Sequence, residues 1–108
     1  MSQELITFVT TKTKEEAFRL SEILVSERLC ACVNILPAIE SIYRWEGKIA
    51  KDHEVLLIIK TTDERYQELE RRIKELHNYT TPEIIALKIE HASNDYLKWL
   101  RQAVSTEK

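Results

Sequence analysis

Three short segments of this sequence contain the side chains best suited to binding metal ions. In the first, His77-x-Tyr79-x-x-Pro82-Glu83, an imidazole is followed by a carboxylate. A neutral imidazole suits Cu(II), Zn(II) and Ni(II), and the predicted helix C-terminus before His77 favours a cation nearby. Because a transition metal needs three or four donors, His77 and Glu83 form a site only with further ligands, such as those of a neighbouring chain. The alternative is that His77 caps the helix and packs between subunits.

The second segment is the cysteine pair Cys30 and Cys32. Two positions apart on a strand, these thiols would point to the same face and offer two soft donors to Cu(I). Free cysteine is also among the most buried residue types and packs as a small hydrophobe. Packing is the favoured interpretation of the pair, and Cys32 is the thiol predicted as a metal ligand.

The third segment is the acidic cluster Asp52-His53-Glu54, which suits loose binding of hard or borderline cations. We expect it to interrupt the strand in which it lies. The favoured interpretation is a solvated bulge that discourages edge-to-edge pairing between molecules.

A long β-hairpin from Ala31 to Thr61 organises the elements that must position these side chains. Glu46-Gly47 lies between arms rich in Val, Ile, Tyr and Trp, and glycine adopts without cost the positive φ of a two-residue turn. Arms of about fifteen residues at about 3.3 Å each span roughly 50 Å. A compact domain of this length has a radius of gyration of about 13 Å and a diameter of about 35 Å. Part of the hairpin must therefore bend or protrude, with Pro37 marking a bulge, a bend or an edge position.

The remaining sequence predicts two strands and three helices around the hairpin. They are a central strand Leu5–Thr10, a helix capped by Thr13 and ending near Arg28, a helix over Asp63–Leu76, a strand over Pro82–Glu90 and a last helix capped by Ser93. The order β-α-β-β-α-β-α is that of an α+β, ferredoxin-like fold. Both sheet faces carry apolar residues and the last helix is too short to cover one of them. We therefore expect an obligate oligomer.

Length, charge and composition narrow the function. A chain of 108 residues predicts one domain, 1–108. Its net charge of −2, with acids and bases interleaved, offers no basic footprint for nucleic acid or an anionic membrane. No apolar run approaches the roughly 20 residues that span a bilayer. The N-terminus lacks the features of a signal peptide, so we expect a cytoplasmic protein.

The chain resembles the CutA (CutA1) family of divalent-cation tolerance proteins. The matching segments are ACVNI (31–35), SIYRWEGKI (41–49), EVLLIIKT (54–61), LHNYTTPEIIAL (76–87) and DYLKWL (95–100). The resemblance implies a ferredoxin-like subunit in an interlocked homotrimer, whose hairpin strands extend the sheets of neighbours. It also implies a link to tolerance of copper and other divalent metals, with copper binding in some members.

The sequence departs from the family pattern at four positions. A cysteine that contributes to the proposed copper site in some members is Val9 here, and a second histidine is Leu76. The usual proline after the loop histidine is Asn78, and a frequent glycine before the last helix is Ala92. The first two changes weaken the expectation of a copper site and leave the fold and trimer expectations untouched.

The resemblance and the candidate ligands together predict a non-catalytic homotrimer that binds copper(II) or another divalent ion weakly, without an organic cofactor. The alternative is a trimeric signalling or scaffold module resembling PII proteins, which would bind a small anion in inter-subunit clefts near Lys12, Lys14 or Arg44. An enzyme is disfavoured because the loop Thr10–Thr13 lacks the glycine and arginine of acyl-phosphate hydrolases of this fold. No G-x-S-x-G, H-E-x-x-H or P-loop motif occurs.

Overall fold

A computed structural model describes residues 3–106 of the chain. Its elements are β1 (Glu4–Thr11), α1 (Lys14–Ser26), β2 (Cys32–Trp45), β3 (Lys48–Thr62), α2 (Asp63–Leu76), β4 (Ile84–Lys88) and α3 (Asn94–Val104). The strands form one antiparallel sheet in the order β2-β3-β1-β4, with β2 and β4 at its edges. The predicted α+β class, the element order and the central position of β1 are confirmed.

The hairpin turn lies where the sequence placed it. Trp45 pairs with Lys48, and both residues of the turn between them have positive φ, 50° at Glu46 and 77° at Gly47. Positive φ at both positions is the signature of a type I′ turn, whose twist matches that of the flanking strands. The chain measures 47 × 26 × 22 Å and its radius of gyration is 14.5 Å, above the value of about 13 Å for a compact domain. The hairpin therefore protrudes, as predicted.

The two arms of the hairpin differ in regularity. In β2 the register shifts between Leu36 and Ile39, where Ala38 has a φ of 66°. The interruption predicted at Pro37 is therefore a β-bulge. The interruption predicted at Asp52-His53-Glu54 is wrong, because these residues pair without a break with Ser41, Glu40 and Ile39. Charged side chains do not prevent strand pairing, because the hydrogen bonds between strands involve only backbone groups. The Asp52 and Glu54 carboxylates also each accept a hydrogen bond from a tyrosine hydroxyl.

The principal core lies between α1, α2 and one face of the sheet. Its fully buried side chains include Val9, Leu20, Leu24, Leu57, Ile59, Leu69 and Ile73. Alternating strand residues face away from these helices, and α3 forms only a small separate cluster there through Leu100 and Val104. Large apolar residues of the strands that stay about half exposed include Leu36 at 49%, Ile85 at 51% and Leu87 at 54%. One chain thus leaves part of a sheet face uncovered.

The helix boundaries follow local signals, with one exception. Thr13 Oγ1 accepts the Glu16 amide at 3.1 Å and Ser93 Oγ accepts the Tyr96 amide at 3.1 Å, as predicted for both caps. α1 ends two residues before Arg28, which adopts a φ of 60°. A capping box would also have the Glu16 carboxylate accept the backbone N–H of Thr13. Here the buried carboxylate instead accepts the Asn78 amide at 3.1 Å.

Replacement of Gly47 by alanine should destabilise the hairpin through its backbone alone. No atom lies within 4 Å of the position that an added Cβ would take, while the φ of 77° is costly for an L residue. We expect Gly47→Ala to lower the free energy of unfolding by about 1–2 kcal/mol, measured by denaturant unfolding at fixed protein concentration. The control is Lys48→Ala at the neighbouring strand position, expected to cost under about 0.5 kcal/mol. Equal effects of the two variants would contradict this interpretation.

Candidate functional site

His77 lies directly after α2, and its side chain is buried among hydrogen-bonding groups. Its backbone N–H donates to Ile73 O at 2.8 Å, which makes it the C-cap of the helix. The ring Nε2 lies 2.7 Å from the carbonyl oxygen of Thr10, and Nδ1 accepts the Tyr79 N–H at 3.0 Å. A carbonyl on one side and an amide on the other fix the Nε2–H tautomer of a neutral ring. The imidazole therefore ties the end of α2 to the central strand.

Glu16 completes this polar cluster, although sequence reasoning assigned it only to a helix cap. Its side chain is 5% exposed, and its Oε2 lies 3.6 Å from His77 Nδ1 and accepts the Asn78 N–H. Its Oε1 is buried and has no hydrogen-bond partner among residues 3–106. Glu16 thus joins the first turn of α1 to the segment after α2. A partner 62 positions away in the chain leaves no local signal in the sequence.

Two of the three predicted metal ligands lie near each other in sequence but have different surroundings. His77 has both ring nitrogens engaged, so either the Thr10 or the Tyr79 hydrogen bond must break before the ring can bind a metal. Glu83 is exposed and lines a cleft beside the hairpin. In residues 3–106, no three or more His, Cys, Asp and Glu side chains form a group that could hold a metal ion. One chain by itself therefore does not fit the metal that the resemblance implies.

The cysteine pair also differs from its predicted arrangement. β2 begins at Cys32, so the two thiols do not share one strand, and the rule that alternate residues share a face does not apply to them. Cys30 is buried in the principal core, while Cys32 is half-buried. Burial, followed by the neighbouring Cys32, raises the pKa of the Cys30 thiol to about 12. Cys30 is therefore a weakly acidic thiol that packs as a small apolar side chain in the core.

The cleft beside Glu83 has a volume of about 700 Å³ and lies between the hairpin and residues 78–83. Two carboxylates, Glu54 and Glu83, and the aromatic side chains of Tyr43, Trp45 and Tyr79 line it. No Lys, Arg or His is among its lining residues within the part of the chain described. The cleft is therefore acidic and aromatic, and Lys12, Lys14 and Arg44 of the anion hypothesis are not part of it.

Glu54 and Tyr79 form a partly buried hydrogen bond at the side of this cleft. The Tyr79 hydroxyl donates to Glu54 Oε2 at 2.8 Å, and the Glu54 side chain is 8% exposed. Burial raises the pKa of the Tyr79 hydroxyl, and its hydrogen bond to the Glu54 carboxylate raises it further. The tyrosine therefore remains a neutral donor. Glu54, assigned from sequence to a solvated cluster, is in fact a buried acceptor.

Replacement of Tyr79 by phenylalanine should destabilise the protein by leaving Glu54 Oε2 without its donor. We expect a loss of about 1–3 kcal/mol in the free energy of unfolding, measured by denaturant unfolding. Tyr43→Phe is the matched control, since its hydroxyl donates to an exposed carboxylate, that of Asp52. A loss no larger than that of the control would contradict a stabilising role for the hydrogen bond between Tyr79 and Glu54.

The same variant should change the dependence of stability on alkaline pH. The raised pKa of Tyr79 means that its contribution is fully present below the unfolded-state pKa of about 10 and is lost as pH rises above that value. Unfolding measured across this range should show a smaller alkaline loss of stability in Tyr79→Phe than in the parent chain. Parallel curves would contradict the raised pKa.

Within residues 3–106, none of the helices combines the length and the apolar character needed to cross a membrane.

Comparison with known proteins gives close relatives over nearly the whole chain. The divalent-cation tolerance protein CutA of Thermus thermophilus is 46% identical over 99 residues, covering 92% of this chain and 96% of that protein. A structure of Cut A1 from the same organism matches with a TM-score of 0.91, covering 93% of this chain and 97% of that one. The crystal structure of CutA1 from Oryza sativa matches with a TM-score of 0.93 at 43% identity, covering 97% and 96%.

The relatives differ in length and in the compartment that their names give. The rice protein CutA 1, chloroplastic, is 46% identical over 99 residues, and the chain spans 56% of its length. A structure described as the periplasmic divalent cation tolerance protein CutA of Archaeoglobus fulgidus matches with a TM-score of 0.92 at 38% identity, covering 94% and 99%. The family model for CutA1 divalent ion tolerance protein matches residues 5–103. Because the family model covers most of the chain and both the sequence and the overall fold agree with these proteins, the chain belongs to the CutA1 divalent ion tolerance family.

Proposed function

We propose that this chain acts as a cytoplasmic homotrimer in divalent metal ion tolerance, copper included, without catalysing a reaction. The single observation that carries the assembly is the apolar surface that one chain leaves exposed. On the hairpin, Ile42 is 70% exposed, Ile49 68% and Trp45 53%. On the sheet face, Leu36, Ile85 and Leu87 are about half exposed. Several large apolar side chains exposed to this degree favour burial against another chain.

Sheet edges support the same proposal. β2 and β4 are the edge strands, and β4 carries Ile85 and Leu87 beside its unpaired backbone groups. An apolar edge strand is a template for pairing with another chain. The number three comes from the family resemblance, in which hairpin strands extend the sheets of neighbouring subunits.

Metal binding in this proposal occurs between chains and is weak. One chain offers the exposed Glu83 carboxylate, while His77 is held by two hydrogen bonds and Cys32 is half-buried at the start of β2. A neighbouring subunit would have to bring further donors to Glu83, because copper(II) and similar ions need three or four. His77 and Cys32 remain predicted ligands, each of which would have to be freed from its surroundings in a single chain.

The alternative function, an anion-binding signalling module, finds no support in the cleft of a single chain. That cleft presents carboxylates and no basic side chain among the residues described. A site between subunits near Lys12, Lys14 or Arg44 stays a prediction. Catalysis is not proposed, since the Thr10–Thr13 loop has neither glycine nor arginine.

Light scattering at micromolar concentration tests the assembly. We expect a mass three times that of the 12.7 kDa chain. Charges at Ile42 and Ile49, introduced as Ile42→Asp with Ile49→Asp, should dissociate the assembly, because burying an unpaired carboxylate is costly. Lys51→Asp, on the same exposed arm, is the control that should keep it. A well-folded single subunit from the parent chain would overturn the proposed trimer.

Calorimetric titration of the untagged protein with copper(II) tests the metal part. We expect saturable, weak binding, and Glu83→Gln should weaken it by at least about tenfold, the loss seen even for a group that only supports a ligand. Exposed His53→Ala is the matched control for His77→Ala. The stability of His77→Ala is measured as well. Loss of the imidazole leaves the Thr10 carbonyl and the Tyr79 N–H without their hydrogen-bond partner, so this variant should be destabilised whether or not His77 binds metal. Absence of saturable copper binding by the parent chain would refute direct binding while leaving the trimer intact.

A further inference from the structure

We propose that the β-bulge at Pro37 and Ala38 is a built-in bend that directs the distal arm of the hairpin toward a neighbouring subunit. The distal arm is the pair of strand segments beyond the bulge, residues 39–45 and 48–54. The neighbouring subunit is that of the homotrimer proposed above, on which this inference rests.

The bulge lies where the sheet narrows to two strands. Opposite Pro37 and Ala38, β3 has a single residue, Val55. Val55 pairs with Thr11 at the end of β1, and beyond this point the described part of β3 pairs with β2 alone. A bulge bends its strand and increases the local twist. A bend at this place therefore turns the distal arm as a unit relative to the sheet.

Ala38 adopts an unfavourable backbone conformation at the bend. Its φ is 66°, in the left-handed region that glycine enters without steric cost and alanine does not. Strain of this kind persists where the surrounding structure enforces it, and an observed outlier is a reason to look for a function. β2 is an edge strand, so the bend disturbs no second ladder of this sheet, and Pro37 has no backbone N–H to leave unpaired.

The distal arm carries apolar side chains on both of its faces. Ile49 pairs with Arg44, two positions after Ile42, so the two isoleucines share one face, while Tyr43 and Trp45 lie on the other. In a single chain Ile42 is 70% exposed, Ile49 68% and Trp45 53%. A two-stranded arm that is apolar on both faces becomes covered when another chain receives it. The direction of the arm then decides whether two subunits fit together.

Deletion of Ala38 tests the bend. It leaves Pro37 opposite Val55 and keeps the other pairs of the ladder, so the hairpin should fold but run straighter. We expect the protein concentration at which the assembly dissociates, measured by sedimentation over a dilution series, to rise by about tenfold or more. Ala38→Gly is the matched control, because it keeps the extra residue and tolerates the positive φ, and it should dissociate as the parent chain does.

Circular dichroism establishes whether each variant is folded. A folded chain that lacks Ala38 and assembles as tightly as the parent would overturn the inference, and so would equally weakened assembly in Ala38→Gly. Those results would leave the homotrimer intact. A parent chain that sediments as a single subunit would instead refute the homotrimer itself.

A second variant keeps the test decisive if the chain without Ala38 does not fold. In this variant Ala38 is deleted and one alanine is inserted after Ser41, which restores the chain length and moves the bulge outward along the distal arm. We expect a folded chain with weakened assembly. Assembly as tight as that of the parent would overturn the inference. Failure of this variant to fold as well would also overturn it, because the bulge at Ala38 would then serve folding and not the direction of the arm.

Discussion

Pairing between β2 and β3 is the interaction on which the rest of this structure depends. The ladder runs from Cys32 opposite Lys60 to Trp45 opposite Lys48, broken only by the bulge between Leu36 and Ile39. Near its base the two strands share the core with α1 and α2, since Val33, Ile35 and Leu57 pack there. Beyond the bulge the strands carry Ile42 and Ile49, which are 70% and 68% exposed in a single chain. The same pair of strands thus contributes to the buried core at one end and exposes apolar side chains at the other.

The second constraint is the set of buried polar groups where α2 ends. The His77 ring bonds the Thr10 carbonyl of β1 through Nε2 and accepts the Tyr79 amide at Nδ1, while Glu16 of α1 accepts the Asn78 amide. Buried polar groups are costly unless paired, so this network fixes the path of the chain after α2. That path places Tyr79 against Glu54 of the hairpin. The cleft therefore forms because two segments, each held by its own hydrogen bonds, meet side by side.

Local signals predicted much of the fold, and long-range partners explain what they missed. The turn at Glu46-Gly47, the caps at Thr13 and Ser93 and the bounds of α2 follow from residues a few positions apart. Burial of Glu16 and Glu54 depends on partners 62 and 25 positions away, which no local pattern encodes. The predicted break at Asp52-His53-Glu54 was wrong for the same reason. Charge suggested solvent, but tyrosine donors from elsewhere in the chain satisfy two of these side chains.

The candidate site was predicted from residue type, and residue type alone does not say whether a group is available. His77 is the strongest ligand by chemistry, yet its ring is enclosed and both nitrogens are engaged. The positions of Val9 and Leu76, where the family pattern has further ligands in some members, pack in or against the principal core. Each apolar side chain there stabilises the interface between sheet and helices and removes a donor. Of the three predicted ligands Glu83 is the exposed one, and it lines the hairpin cleft together with the largely buried Glu54. The imidazole at the end of α2 therefore serves the fold, and the exposed carboxylate of Glu83 lies in the segment before β4, beside the hairpin.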